Sequence, residues 1–181
     1  PPSISVTTHI DCDGLTSGSI ITKALIRAGA NCTVRTSKEF SRNVLESFKT
    51  DSRDFHVVTD LGGGFANELD KTLGDNWIIL DHHQIPDEEL DNPNVINSWK
   101  YGIDGGADIC SGGMAYLASE ALDERNSDLS ALAIVSALGD RQDQGERKSF
   151  TGKNFEIANT AKDLGLVEID LDLLLVGRET R

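Results

Sequence analysis

Imidazole and carboxylate side chains alternate in HIDCDG, the stretch at residues 9–14 that follows the β-branched run ISVTT. At the two-residue period of an extended chain, His9, Asp11 and Asp13 point to one side, and Ile10 and Cys12 point to the other. Side chains of these types can bind a metal ion or transfer protons. The pattern predicts a chemical site at the end of a first strand, with Cys12 as a small buried neighbour.

Two further stretches of this kind follow apolar runs later in the chain. Asp60 ends FHVVTD, and Asp81, His82 and His83 follow WIIL. A single aspartate at the end of a strand is usually a turn residue or a helix cap. Three such strand ends together favour a site, because the carboxyl ends of parallel strands form the ligand-binding edge of an open α/β sheet. We therefore expect one shared crevice.

The donor types indicate which metal this crevice would take. Carboxylate oxygens and imidazole nitrogens without a thiolate favour Mn²⁺ or Mg²⁺ over a structural zinc ion. Crowded carboxylates repel one another, and divalent cations between them would relieve that repulsion. Asp11, Asp13, Asp60 and one later aspartate carry four negative charges, which two divalent ions would neutralise. A phosphodiester could then approach, and two ions about 4 Å apart can activate water for its hydrolysis.

Strand and helix patterns alternate through the first half of the chain, which predicts an α/β domain with a parallel sheet and helices on both faces. Near-continuous apolar runs are typical of strands that are covered on both faces. The second half has the apolar spacing of helices. The predicted strands are 4–9, 32–36, 55–60 and 77–81, and the predicted helices are 16–28, 40–48, 66–73, 111–123, 129–138 and 154–164.

Composition disfavours several other classes of protein. Seventeen Lys and Arg against 30 Asp and Glu give a formal net charge of −13, which argues against a plain basic-patch nucleic-acid binder. Three cysteines without a C-x-x-C pair favour a reduced, cytoplasmic protein over a disulfide framework or a thiolate zinc site. No apolar run approaches the roughly 20 residues that span a bilayer, so no membrane partner is expected. P-loop and dinucleotide-binding glycine patterns are also absent from the sequence.

Four motifs resemble those of the DHH phosphoesterase superfamily and stand in the same order. They are HIDCDG at 9–14, TDLGGG at 59–64, DHHQ at 81–84 and GDRQD at 139–143. The stretches GGADICSGGMAYLA and ALGDRQD look most like the archaeal RecJ-like nucleases, including those associated with the replicative GINS complex. The resemblance covers residues 4–143. It implies the parallel-sheet DHH fold, phosphoester hydrolysis and two divalent metal ions, Mn²⁺ first and Mg²⁺ as the alternative.

The resemblance also implies roles for individual residues. The implied metal ligands are His9, Asp11 and Asp60 for one ion, and Asp13, Asp60, His82 and Asp143 for the other. In the family the last of these ligands stands four residues after the glycine, which selects Asp143 over the neighbouring acid Asp140. His83 would face the substrate phosphate as a polariser or an acid. Asp81 would orient an imidazole instead of binding a metal.

A second set of residues is expected near the substrate. Ser111 is predicted first as a helix N-cap and second, with Gly112, as a phosphate contact at a helix N-terminus. Arg141 is a candidate phosphate contact, and a surface ion pair is the alternative. Trp77 and Trp99 are interpreted as packing residues and not as stacking platforms for bases.

Three functions stay open at this point. The first is a metal-dependent exonuclease on single-stranded DNA or RNA, with single-stranded nucleic acid and replisome proteins such as GINS as expected partners. The second is a DHH hydrolase of small substrates, such as oligoribonucleotides, cyclic dinucleotides or pyrophosphate. The third is a replisome scaffold that keeps the fold without catalysis, which the intact ligand set disfavours.

The sequence also suggests a domain division. Residues 1–165 are expected to form the catalytic domain. Residues 166–181, which include the apolar LDLLLVG, are expected to begin a linker to a C-terminal domain that this chain lacks. The resemblance implies that such a domain closes over the metal site, so we expect this chain alone to bind long single strands weakly.

Overall fold

The protein is described by a computed structural model of residues 1–170, so the segment 171–181 of the predicted linker lies outside the described residues. Five strands form one sheet in the order β2-β1-β3-β4-β5, and every neighbouring pair is parallel. The strands are β1 Ser3–His9, β2 Asn31–Ser37, β3 Phe55–Thr59, β4 Trp77–Asp81 and β5 Val95–Asn97. The α/β class and the parallel sheet are confirmed.

Seven α-helices and three short 3₁₀ helices connect and cover these strands in the described part of the chain. The α-helices are α1 Cys12–Arg27, α2 Arg42–Lys49, α3 Ala66–Leu73, α4 Asp87–Leu90, α5 Ser111–Leu122, α6 Ser130–Gly139 and α7 Gly152–Asp163. The 3₁₀ helices are Ser98–Tyr101, Glu124–Leu129 and Glu146–Lys148. The helical second half is therefore also confirmed. Within residues 1–170, none of the helices is both long and apolar enough to cross a membrane.

Each face of the sheet has its own apolar core, because the buried strands present large side chains to both sides. On one face, Val6 and Val57 pack into a cluster with residues of α1, α5, α6 and α7. On the other face, Val58 and Ile79 pack with residues of α2 and α3, such as Phe48. Helices on both faces thus hold the strands rigidly from either side.

The register of the sheet brings the strand ends level with one another. Thr8 pairs with Thr36 on one side and Thr59 on the other, and Thr59 pairs with Leu80. His9, Asp60 and Asp81 are the next residues along their chains, so the register sets them side by side at the carboxyl edge. This is the edge at which open α/β sheets bind ligands.

Two local expectations differ from the structure. Strand β1 ends at His9 and α1 begins at Cys12, so HIDCDG is a strand-to-helix turn and not a continuous extended segment. Cys12 is exposed and not buried as predicted, and its thiol lies beside the end of α6, where it donates weakly to the carbonyl of Val135 at 3.6 Å. Gly14 allows the tight turn, since a Cβ there would overlap the backbone of His9.

Candidate metal centre

Asp60 occupies the centre of the carboxyl edge, immediately after β3. Its backbone has a φ of 60°, in the left-handed region that non-glycine residues rarely adopt. Its amide donates to the carbonyl of Leu80 at 3.1 Å, which fixes this conformation against β4. Backbone strain of this kind is concentrated at functional sites, where surrounding structure maintains it.

A first group of ligand atoms comes from His9, Asp11 and Asp60. One atom from each of the three residues lies within 4.8 Å of the other two. The Nδ1 atom of His9 lies 2.9 Å from Asp11 Oδ2 and 3.6 Å from Asp60 Oδ2. The other ring nitrogen, Nε2, lies 3.1 Å from the carbonyl of Lys38, which orients the imidazole. Asp11 is the N-cap of α1 and accepts from the amide of Gly14 at 2.9 Å.

A second group consists of Asp13, His82 and Asp140. His82 Nε2 lies 3.3 Å from Asp13 Oδ2 and 3.5 Å from Asp60 Oδ1. His82 Nδ1 contacts the carbonyl of Gly105 at 2.6 Å and lies 3.8 Å from Asp140 Oδ2. The contact with Gly105 leaves Nε2 as the ring nitrogen that faces the carboxylates, as is usual for imidazoles that ligate metals.

Asp60 lies between the two groups and presents one oxygen to each. Its Oδ2 faces His9, whereas its Oδ1 faces His82 and accepts from Ser111 Oγ at 2.9 Å. A carboxylate in this position can bridge two cations. The bridging role that the family resemblance implies for Asp60 therefore has a matching geometry.

The charges of this cluster are poorly compensated by protein groups alone. Burial, together with the charge of Asp60, raises the pKa of Asp13, and burial also raises the pKa of Asp60. Burial opposes protonation of His82, but the carboxylates of Asp60 and Asp13 outweigh it and raise the pKa of His82 to about 10. His82 Nε2 is buried and has no hydrogen-bond partner within the described part of the chain. Buried carboxylates around an unpartnered imidazole nitrogen fit divalent cations, which would stabilise every ionised carboxylate at once.

Asp13 is held by the N-terminus of α5, and the cap of this helix differs from the one predicted at Ser111. The amides of Ser111 and Gly112 donate to the two oxygens of Asp13 at 2.9 and 2.8 Å, and Ser136 Oγ donates to the same carboxylate. The N-cap of α5 is Cys110 and not Ser111. Both amides and the buried Ser111 hydroxyl thus donate to carboxylates of the cluster, and a phosphate contact at Ser111 or Gly112 stays a prediction.

His83 and Asp81 form a pair beside the two ligand groups. His83 Nδ1 lies 2.8 Å from Asp81 Oδ1, which also accepts from the amide of His82 at 2.8 Å. Asp81 is buried, whereas the side chain of His83 is 59% exposed. The hydrogen bond to Asp81 raises the pKa of His83. Asp81 thus orients His83, and the exposed imidazole remains accessible to a substrate.

The GDRQD segment delivers Asp140 to the cluster and not Asp143. Helix α6 ends at Gly139, so Asp140 lies directly at the helix end, where it accepts from Gln142 Nε2 at 2.8 Å. Gln142 turns inward and donates to the carbonyl of Gly105 at 2.8 Å. Asp143 is half-buried, and within residues 1–170 it belongs to no group of three or more potential ligands. Its predicted ligand role has no geometric support here.

Arg141 is exposed and has a φ of 58°, which lets the chain reverse after α6. Its carbonyl accepts from Gln144 Nε2 at 2.6 Å, and its role as a phosphate contact stays a prediction. The sequence reasoning missed Ser136 and Gln142, which hold Asp13 and Asp140. Gln142 lies within the GDRQD motif, which gave it a local signal, whereas the contact of Ser136 with Asp13 joins residues 123 positions apart and has no local signal.

The fold and the site together define an α/β domain whose carboxyl edge carries two adjoining clusters of carboxylates and imidazoles suited to divalent cations. A sequence model of the DHH family, N-terminal domain, matches residues 3–139. The chain belongs to this family.

Similar proteins agree with this assignment. The chain is 33% identical over 177 residues to the uncharacterized protein MJ0831 of Methanocaldococcus jannaschii, covering 94% of this chain and 39% of that protein. Among solved structures, an exonuclease RecJ bound to manganese superposes with a TM-score of 0.68 at 22% identity, over 88% of this chain and 42% of that one. RecJ of Thermus thermophilus with Mn²⁺ gives 0.65 at 22% identity, over 88% and 24%. CDC45 of Entamoeba histolytica gives 0.56 at 15% identity, over 91% and 34%. The fold is therefore that of the RecJ DHH domain, and the chain spans well under half of each relative.

Proposed function

We propose that this protein is a metal-dependent phosphodiesterase that cleaves single-stranded DNA or RNA as an exonuclease. The observation that carries the proposal is the position of Asp60, which presents one oxygen to the His9 group and the other to the His82 group. Two divalent cations bound there would supply Lewis acidity and positive charge for hydrolysis of a phosphodiester. Solved RecJ structures of the same fold contain Mn²⁺, which supports Mn²⁺ as the first ion to test.

The protein's own residues would divide the remaining work. His9, Asp11 and Asp60 would hold one cation, and Asp13, His82 and Asp140 would hold the other together with the second oxygen of Asp60. His83, with Nδ1 held by Asp81, would direct its other ring nitrogen at a phosphoryl oxygen or at the leaving oxygen. The raised pKa of His83 favours the protonated form that such a donor requires.

The two imidazoles of the cluster favour Mn²⁺ over Mg²⁺ as the bound ion. Mg²⁺ binds mostly through oxygen and retains several waters, whereas a site with His9 and His82 offers nitrogen donors. We therefore expect higher activity with Mn²⁺ than with Mg²⁺ at equal concentration, and none in excess EDTA.

The decisive variant is Asp60→Asn, tested on labelled single-stranded DNA, single-stranded RNA, dinucleotides and pyrophosphate with Mn²⁺. We expect loss of at least about 100-fold in kcat/KM, because a neutral amide cannot bridge two cations. Asp163→Asn, at an exposed carboxylate at the end of α7, is the matched control and should retain activity. Hydrolysis at the full rate in excess chelator would refute the proposed metal dependence. A preference for pyrophosphate would favour the alternative function, a hydrolase of small substrates.

A further inference from the structure

A second cavity adjoins the metal centre on the side away from His9. This Trp99 cavity, of about 330 Å³, lies between Trp99, His83 and the turn Asp104–Gly106. The larger cleft over the metal centre, of about 420 Å³, contains His9, Asp60 and His83. His83 lines both spaces. A phosphate placed against His83 would therefore extend one of its substituents toward each cavity.

The indole of Trp99 is fixed in position by the metal-centre backbone. Its Nε1 donates to the carbonyl of His82 at 2.8 Å. Trp77 is 1% exposed and lies in the core, in keeping with the packing role predicted for both tryptophans. Trp99 is half-buried and lines the cavity, so the packing role predicted from the sequence does not account for all of its surface. An aromatic ring that is already held in place beside a cavity can stack a planar ring at little cost for ordering the side chain.

The opposite wall of the cavity is backbone and carries no positive charge from the described residues. Gly105 must be glycine, because a Cβ there would overlap the carbonyl of His82. Asp104 is exposed, and its carboxylate accepts from the amide of Gly106 at 2.7 Å. Within residues 1–170, no lysine or arginine is among the residues that line this cavity. The imidazoles of His82 and His83 line the same cavity and suit the phosphate, whereas the turn with Asp104 offers no positive charge and suits a neutral planar group.

We propose that the Trp99 cavity binds the base of the nucleotide next to the cleaved phosphate, stacked on the indole of Trp99. The proposal rests on the proposed function, since it names a subsite for the substrate of that same centre. All four bases have an aromatic face, so the subsite would contribute to binding without selecting a sequence. It would favour nucleic acid over phosphodiesters that lack a base.

The first test compares oligonucleotides that differ only in one base beside the cleaved bond. Substrates with a normal base and with an abasic site, placed on either side of that bond, are hydrolysed with Mn²⁺. At one of the two positions the abasic substrate should lose about 5- to 150-fold in kcat/KM, the range that corresponds to stacking of one base. Equal hydrolysis of all these substrates would overturn the proposal.

Variants of Trp99 separate stacking from a structural role. Trp99→Ala should bring the ratio of normal to abasic kcat/KM close to one, and Trp99→Tyr should restore most of it. A merely structural loss would lower both values and leave their ratio unchanged, which would contradict the proposal. Tyr101→Ala is the control, because Tyr101 is an exposed aromatic residue of the same 3₁₀ helix that does not line the cavity.

Binding without hydrolysis provides a test that does not depend on activity. In Trp77→Phe, Trp99 is the only indole of the 181-residue chain. Its fluorescence should be quenched by dAMP and not by deoxyribose 5-phosphate. Absence of quenching by dAMP would overturn the Trp99 assignment. Quenching by dAMP, combined with no hydrolysis of any substrate with Mn²⁺, would overturn the proposed function and keep the base-binding cavity.

Discussion

Asp140 and Asp143 are three residues apart, but only Asp140 contacts the cluster of carboxylates and imidazoles. Asp140 lies 3.8 Å from His82 Nδ1 through its Oδ2, and it accepts from the buried Gln142. Burial raises the pKa of Asp140, and this effect outweighs the opposing charge of His82. Asp143 shares none of these contacts within the described residues. Counting residues from Gly139 selects Asp143, whereas the structure places Asp140 beside His82, with the left-handed residue Arg141 between the two acids.

The pair Asp140→Asn and Asp143→Asn tests this interpretation. We expect Asp140→Asn to weaken Mn²⁺ binding by about 10- to 100-fold, because the His82 group would lose a carboxylate. Asp143→Asn should change it by less than about 3-fold, within the range of an ordinary surface substitution. Calorimetric titration with Mn²⁺ measures both affinities. The opposite order would show that the GDRQD segment rearranges when metal binds.

Elements of secondary structure position the site through contacts that no single segment encodes. Helix α5 directs its first two amides at Asp13, which is 98 residues earlier in the chain. Ser136 of α6 donates to the same carboxylate. A Cβ at Gly112 would overlap Ser136, so α5 and α6 can approach at this point only because residue 112 is glycine. The close packing of these two helices on α1 thus fixes the carboxylate of Asp13.

Strand β3 carries a buried histidine whose protonation opposes folding. His56 packs on the ring of Phe48 at 4.8 Å, and its Nδ1 has no hydrogen-bond partner among the described residues. Burial lowers its pKa from the usual 6.5. Above about pH 6.5 the folded and unfolded states are both neutral at this residue. Below that pH the unfolded state binds a proton at His56 that the folded state does not bind. The free energy of unfolding therefore decreases as the pH decreases.

His56→Phe should remove this contribution. Its free energy of unfolding should depend less steeply on pH between about 6.5 and 5, by up to about 1.4 kcal/mol per pH unit for one proton. Urea unfolding at several pH values, in EDTA for both proteins, measures the difference. An unchanged slope would mean that His56 is protonated in the folded protein.

The sequence predicted features that depend on local patterns and did not predict features that depend on how the helices pack together. Strand β4 was predicted with its observed ends, and the four motifs placed His9, Asp60 and His82 at one edge of the sheet. Strand β5 has three residues, too few for a periodic signal, and was not predicted. The exposure of Cys12 and the use of the α5 amides by Asp13 depend on how α1, α5 and α6 pack, which short-range patterns do not encode.

The molecule as a whole carries a formal charge of −13, and its buried carboxylates add a local cost to folding. Cations that bind the folded protein and not the unfolded chain would offset that cost. At 100 times its dissociation constant, one bound ion stabilises the fold by about 2.7 kcal/mol. For a protein of this size we therefore expect Mn²⁺ to raise the Tm by about 5–10 °C above its value in EDTA.

Thermal unfolding of the wild-type protein and of Asp60→Asn, each with Mn²⁺ and with EDTA, checks this expectation. The variant should be more stable than the wild type in EDTA, because one buried negative charge is gone, and should gain less from Mn²⁺. The same Tm for the wild type in both conditions would contradict cation binding at the cluster.

The seating of Asp13 on α5 has one more consequence. The carboxylate that would hold a cation is also the anion that satisfies the amides of Ser111 and Gly112. The metal centre and the first turn of α5 therefore open and close as one cooperative unit in local unfolding. Loss of the Asp13 charge would fray the first turn of α5. Because α5 packs against both α1 and α6, this loss would also weaken the packing of the hydrophobic core.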